Sequence, residues 1–229
     1  MDALVMAGGR GTRLQPLTFS LPKPLMPVGG QPILEVLLRQ LRRHGFDRVF
    51  VSVGHKGHLV RAYLAELPLP GVEVRCLSED EPLGTAGALR LLPDDVHDVF
   101  VVNGDILSES DHGEVLRGHV AAGLPMTVVV HHHQVPLPYG VLDLADGLVT
   151  GIREKPVLSM PVATGMYALT LEKVLPLLPD GRSDMPQLVT SLAASGAVRA
   201  HVTDAFWTDV ADLADYERVE LDSERWAEP

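Results

Sequence analysis

Leu4-Val-Met-Ala-Gly-Gly-Arg-Gly-Thr-Arg-Leu14, followed after Gln15 by Pro16-Leu-Thr-Phe-Ser-Leu-Pro-Lys-Pro-Leu-Met-Pro27, is the stretch from which the rest of the chain is read. The short apolar run Leu4-Val5-Met6 predicts a buried first strand. Gly8, Gly9 and Gly11 follow at once. Glycine tolerates φ > 0 and leaves backbone N–H groups uncovered, so such a loop can wrap an anion. Arg10 and Arg13 add guanidinium forks whose geometry suits phosphate. Lys23 stands between Pro22 and Pro24, and a following proline biases a residue towards extended backbone. The expectation is a polyphosphate cradle with a lysine held extended and aimed at it. The spacing does not fit the dinucleotide fingerprint: counting from Gly9 and Gly11, its third glycine falls on Leu14. This disfavours an oxidoreductase on a dinucleotide fold.

Outward from that stretch, strand and helix patterns alternate. Ile33, Leu34, Leu37, Leu38 and Leu41 form a helical stripe over Ile33 to Arg43, with Pro32 at its start and Gly45 past its end. Val49 to Val53 reads as a strand, His58 to Leu67 as a helix and Val72 to Leu77 as a strand. Glu81 to Leu89 is a loop entering a helix that runs to Leu92. Val99 to Val102 is a continuous apolar strand ending in Asn103-Gly104-Asp105. A carboxylate there lies where open α/β sheets bind ligands, although Asp after Gly is also common in plain turns. Asp111 to Ala122 reads as a helix and Met126 to His133 as a strand. Neighbours on a strand face opposite sides, so at most two of His131, His132 and His133 converge, and none is given a role.

Asp146-Gly147 between Tyr139–Leu144 and Leu148–Arg153 signals a β-hairpin. Its antiparallel pairing makes a mixed sheet the expectation. Glu154-Lys155-Pro156 follows, with Lys155 also expected in extended geometry. Val162 to Leu169 is a further strand, and Leu171 to Leu175 a short helix stopped by Pro176 and Pro179. Asp184 can cap a helix bearing Met185, Leu188, Val189 and Leu192, closed by Gly196. Val198 to Val202 is a strand. Asp209, in Phe206-Trp-Thr-Asp-Val210, can serve as N-cap of a helix over Ala211 to Leu221.

The full string Gly-Gly-x-Gly-Thr-Arg-Leu with Pro-Lys-Pro-Leu-Met-Pro resembles the signature of the sugar nucleotidylyltransferases. These enzymes join a nucleoside triphosphate to a sugar 1-phosphate. The likeness runs from residue 2 to about 218. It implies one Rossmann-like α/β domain over 1–229, with a mixed, mostly parallel central sheet flanked by helices. A C-terminal β-helix, present in some relatives, is not expected, because no six-residue repeat occurs.

By that resemblance Ala7, Gly8, Gly9, Gly11, Thr12 and Arg13 bind the nucleotide phosphates. Pro82, Gly84, Thr85 and Gly87 lie against the base, in wording most similar to enzymes that use GTP. Arg13, Lys23 and Lys155 are the implied catalytic cations, and Asp105 and Asp209 the implied Mg²⁺ ligands. Asn103, Gly140, Glu154, Lys155, Thr164 and Gly165 are implied on the sugar phosphate side. Thr164 stands where many relatives have Asn, and Ala211 where many have Gly. Competing readings are a uridylyl- or thymidylyltransferase and a non-catalytic binder of nucleotide sugars that keeps the fold.

Composition sets outer bounds. The chain has 229 residues, 46% of them hydrophobic, enough for a sizeable core. Its one cysteine, Cys76, excludes a disulfide framework and reads as a core hydrophobe. The net charge of -11 disfavours nucleic acid as partner. No apolar run matches a membrane span and no leader pattern is visible, so a cytoplasmic protein is expected, with room for a homo-oligomer. Residues 1–43 carry most of the local positive charge near the signature. The acidic stretch 204–229 reads as a solvated helix face.

Overall fold

Ala3, Leu4 and Val5 are all fully buried on the first strand, β1 (Asp2–Met6), because both faces of the sheet it centres are covered. The computed structural model describes residues 1–79 and 81–226; the last three residues of the acidic stretch and of the expected 1–229 domain lie outside the described residues. After β1 come a short ribbon, β2 (Pro27–Val28) and β3 (Gln31–Pro32), then α1 (Ile33–Arg43), β4 (Arg48–Val53), α2 (Gly57–Glu66) and β5 (Glu73–Ser78). The middle of the chain forms α3 (Gly84–Gly87), β6 (Asp98–Asn103), β7 (Ile106–Ser108), α4 (His112–Ala122) and β8 (Met126–Pro136). Then follow β9 (Val141–Ala145), β10 (Leu148–Arg153), β11 (Val157–Thr170), α5 (Leu171–Val174), α6 (Met185–Ala193), β12 (Val198–Thr203), β13 (Trp207–Asp209) and α7 (Leu213–Leu221).

Seven strands form one sheet in the order β12-β8-β11-β6-β1-β4-β5. The pairs β1–β4, β1–β6, β4–β5 and β8–β12 are parallel, while β11 runs antiparallel between β6 and β8. The sheet is therefore mixed, as expected, but not for the expected reason. The hairpin β9–β10 stands apart as its own two-stranded sheet, and the long strand β11 supplies the reversed pairing.

Strand alternation divides the core. Ala3 and Val5 face one cluster with the α1 stripe Leu34, Leu37, Leu38 and Leu41, with Val60 of α2 and with Val115 and Leu116 of α4. Leu4 faces the other, with Ala86 and Leu89 and with Met185, Leu188 and Leu192 of α6. A third cluster joins Leu14 and Met26 of the signature and Val28 just after it to Val210, Val219 and Trp226. It fastens the signature loop to the C-terminal segment, and Tyr216 adds a hydrogen bond from its hydroxyl to the Pro27 carbonyl (2.8 Å).

The helix α1 occupies the predicted residues, with Gly45 in a left-handed conformation (φ 86) just beyond it. After α3 the chain tightens into a 3-10 turn, Ala88–Leu91, rather than continuing as helix to Leu92. Asp209 does not cap the last helix. Asp212 does, accepting from the backbone of Ala214 and Asp215, because it sits directly before Leu213 whereas Asp209 is committed to β13. On α7 only Val219 is buried, in keeping with a solvated acidic face. No helix among the described residues is long and apolar enough to cross a membrane.

Candidate active site

Four parallel strand ends deliver the site. β1 runs into Gly8 and Gly9, β4 into Gly54, β5 into Glu79, and β6 into Asn103-Gly104-Asp105. The strand ends close together because side chains are missing there. A Cβ on Gly104 would come within 2.9 Å of the Met6 carbonyl, and one on Gly54 within 3.1 Å of the Gly8 carbonyl. A cavity of about 300 Å³ opens above them, walled by Gly8, Gly9, Pro82, Gly84, Thr85, Asn103 and Asp105 among others. Seven of the sequence-predicted residues thus share one cavity.

The two aspartates meet. β7 pairs antiparallel with β13, setting Asp209 opposite Ile106, and Val210 N–H donates to the Asp105 carbonyl (3.0 Å). Lys23 Nζ forms an ion pair with Asp105 Oδ2, its side chain only 12% exposed. Burial pushes the Asp209 carboxyl above the usual carboxylate range, and the Asp105 and Asp215 carboxylates push the same way against the pull of Lys23. Lys23 is not extended. It opens a 3-10 turn, Lys23–Leu25, and Pro22 before it is the extended residue. Proline at the second position of a short turn tolerates the missing N–H, which outweighs its bias on the preceding residue.

The glycines of the signature serve different ends. Gly11 is left-handed (φ 60), and a Cβ there would press on Thr18 (2.9 Å) and on Lys23 Cβ (3.3 Å). Gly9 has nothing within 4 Å of such a Cβ, so its bareness faces open cavity. Ala7 is buried beneath the loop, while Thr12 and Arg13 are exposed on a 3-10 turn. Gly84 (φ 79) and Gly87 let the 181–184 segment close over α3, where Ala86 and Gly87 N–H donate to the Ser183 carbonyl.

Other predicted residues are placed differently. Thr164 is fully buried and its hydroxyl donates to the Val129 carbonyl (2.9 Å), so it presents no side chain to open space. Its own carbonyl accepts from Trp207 Nε1 (2.8 Å). Gly165 (φ 76) leaves room for Asn103, whose Nδ2 would lie 2.6 Å from a Cβ there. Gly140 and Glu154 are grouped at the base of the hairpin, and Lys155 N–H donates to the Tyr139 carbonyl (3.2 Å). Lys155 is not extended: it takes φ 43, a left-handed turn that ends β10 before Pro156. Arg13 and Lys155 are both exposed and neither lines the cavity.

Three charged wall residues escaped the sequence reading as site residues: Glu79, Arg182 and Asp184. Glu79 follows a parallel strand as Asn103-Gly-Asp105 does, and that position was the available signal. It accepts from Ser52 Oγ and from Leu83 N–H (3.1 Å), tying β4 to the loop before α3. Asp184 caps α6 as the sequence predicts, sharing a capping box with Gln187, and it also accepts from Thr85 N–H (3.0 Å). Arg182 carried no sequence signal.

A second cavity, about 610 Å³, adjoins Asp209 and is walled by His131, His133, Val162, Trp207, Asp215 and Arg218 among others. Two of the three successive histidines share its wall, as strand alternation requires. Among the described residues no group of three or more His, Cys, Asp or Glu is gathered for a metal. Asp105 and Asp209 stand as a pair. Two carboxylates, one of them hard to ionise because it is buried beside other carboxylates, fit a hard divalent cation that takes its remaining ligands from phosphate and water.

The chain is similar to known proteins both in sequence and in fold. A family model described as nucleotidyl transferase matches residues 2–225. A probable mannose-1-phosphate guanylyltransferase 1 of Oryza sativa subsp. japonica is 31% identical over 242 residues, covering 100% of this chain and 67% of the relative. A UTP–glucose-1-phosphate uridylyltransferase of Synechocystis sp. is 31% identical over 242 residues, covering 94% of this chain and 61% of the relative. The chain thus spans about two thirds of the length of these curated relatives. In fold it is similar to a crystal structure of a putative glucose-1-phosphate thymidylyltransferase from Bacillus anthracis. That match has a TM-score of 0.77 at 22% identity and covers 97% of this chain and 95% of the other. HddC from Yersinia pseudotuberculosis is also similar, with a TM-score of 0.73 at 25% identity over 96% of this chain and 98% of its own.

Proposed function

The chain belongs to the nucleotidyl transferase family, and from that premise we propose that it transfers a nucleoside monophosphate, GMP before others, from a triphosphate to a sugar 1-phosphate, releasing pyrophosphate. The observation that carries this is the meeting of Lys23, Asp105 and Asp209 beside the glycine-loop cavity. GTP is favoured because relatives named as guanylyltransferases match across the whole chain. A uridylyltransferase among the relatives supports UTP as the second reading.

The acceptor phosphate oxygen attacks the α-phosphorus in line. Its second pKa is near 6, so it is already ionised at neutral pH and needs no side-chain base. What the protein must supply is position and positive charge for two mutually repelling anions. The bare backbone of Gly8 and Gly9 admits the phosphates closely. Lys23, held against Asp105, lies ready for charge developing on the transferred phosphate. Asp105 and Asp209 would hold Mg²⁺, which when bound neutralises phosphate charge and aligns the two esters. Arg13 and Lys155, exposed on either flank, would come onto the leaving pyrophosphate and the acceptor phosphate when those ligands are present.

The test is a panel of four nucleoside triphosphates with Mg²⁺ against mannose, glucose and heptose 1-phosphates, read by pyrophosphate release. The expected result is release with GTP and one of these acceptors, falling roughly 10²–10³-fold in Lys23→Ala, by analogy with removing one oxyanion donor. A binder that releases no pyrophosphate with any pair, or a Lys23→Ala variant of unchanged turnover, would count against the proposal.

A further inference from the structure

The part of the signature between Leu14 and Leu21 has almost no hydrophobic anchor. In its 3-10 turn, Leu17–Phe19, only Thr18 is buried, while Leu17 is 43% and Phe19 66% exposed. Such a segment cannot be held by burial and must be fastened by polar contacts or remain loose. One side chain from outside supplies them. Lys56 Nζ donates to the carbonyls of Thr18 and Phe19, each at 2.7 Å. Thr18 in turn donates from its hydroxyl to the Gly11 carbonyl (2.8 Å), and its methyl sits where a Gly11 side chain would be. Gly11 is the left-handed residue that shapes the glycine loop.

Lys56 is itself placed at some cost. It adopts φ 56 in the turn between β4 and α2, a conformation unusual for a side-chain-bearing residue. The same turn touches the glycine loop a second time, through His55 N–H to the Gly8 carbonyl (3.4 Å) and the close approach of Gly54 to Gly8. A strained residue whose ammonium reaches two backbone carbonyls of a turn with almost no hydrophobic anchor of its own is a clamp.

We propose that Lys56 is a positioning residue that holds residues 8–20 in the shape that receives nucleotide, acting through Thr18 and Gly11 without touching substrate. This rests on the nucleotidyl transfer reading above. Hydrogen bonds from a charged donor are worth enough that losing this pair should be felt as a tenfold or larger effect where the loop matters.

The test uses Lys56→Met, which keeps the stem and loses the donors, and Lys56→Arg, which restores them. Amide hydrogen exchange on the full ligand-free chain reads the loop directly. Calorimetric titration of GTP and steady-state assays with GTP and mannose 1-phosphate read its consequence. In Lys56→Met, exchange over residues 8–20 is expected to quicken roughly tenfold. GTP affinity is expected to weaken by a similar factor, with the KM for the sugar phosphate within about twofold of wild type and recovery in Lys56→Arg. Unchanged exchange over residues 8–20 would overturn the clamp, as would quickened exchange with unchanged GTP affinity, or both KM values moving together. If the wild type binds GTP but transfers to no acceptor, the function reading fails while exchange and affinity still judge Lys56.

Discussion

At the scale of single residues, the site holds charge under tension. Asp209 is pushed towards its neutral form by burial and by two neighbouring carboxylates, against a backbone hydrogen bond and Lys23. A group whose folded pKa lies above its unfolded value adds stability only at low pH, and that contribution is lost as pH rises through the folded pKa. At neutral pH the metal-free protein is therefore penalised for keeping Asp209 ionised. Asp209→Asn should raise the melting temperature of the metal-free protein while removing most pyrophosphate release; scanning calorimetry without Mg²⁺ and the release assay check the two halves. Glycines separate in the same way. Gly84 has φ 79, and a Cβ there would overlap the Ser183 carbonyl, so Gly84→Ala should cost about 1–3 kcal/mol from backbone strain alone. Gly9 has no positive φ and an empty Cβ position. Gly9→Ala should leave stability within about 0.5 kcal/mol yet raise the KM for GTP, since the methyl enters the cavity. Urea denaturation beside steady-state kinetics distinguishes a glycine kept for the fold from one kept for a ligand.

At the scale of elements, α1 and α4 are joined by a histidine pair. His44 follows α1 and His112 opens α4, with Nδ1 to Nδ1 at 3.3 Å. The His112 backbone N–H also donates to His44 Nδ1 (3.3 Å). His112 Nε2 is buried without a hydrogen-bond partner, on a ring stacked against Phe100. Burial pushes His112 down to about 3, with His44 pushing the same way and Asp111 opposing. Burial lowers His44 too, helped by Arg43 and Arg117 against Asp111. The unfolded rings protonate near 6.5. This stability is complete above pH 6.5 and drains as pH falls below it, by up to about 1.4 kcal/mol per unit for His112. Urea unfolding between pH 7.5 and 5 should show that slope, and His112→Leu should flatten it.

At the scale of the whole molecule, the seven-stranded sheet and the hairpin β9–β10 are separate bodies of structure. Leu142, Leu144, Val149 and Ile152 share one hairpin face through their cross-strand pairing, and all are at least half exposed. The hairpin therefore adds little to the core. Replacing residues 141–153 with a short Gly-Ser linker should leave a cooperatively folding protein that still binds GTP but transfers poorly, because Glu154 and Lys155 lose their mounting; calorimetry and the release assay check this. The alternation of apolar strands and a 3.6-period stripe was legible in the sequence, and so was the position of Gly8, Gly9, Asn103 and Asp105 after strands whose ends share one cavity. These are properties of local pattern and of position at strand ends. Glu79 had the same positional cue, whereas Arg182 reached the cavity only because the 181–184 segment folds back over α3. The left-handed Lys155 and the turn at Lys23 could not be read, since neighbouring prolines express a bias that packing overrides, and the burial of Thr164 could not because its hydroxyl is taken by the Val129 carbonyl on another strand. Local pattern thus determined the alternating strands and helices, the glycine loop after the first strand and the carboxylate after β6. Which carboxylates face each other, which hydroxyl is already taken and which lysine clamps the loop were decided by tertiary structure, because those contacts join residues tens of positions apart.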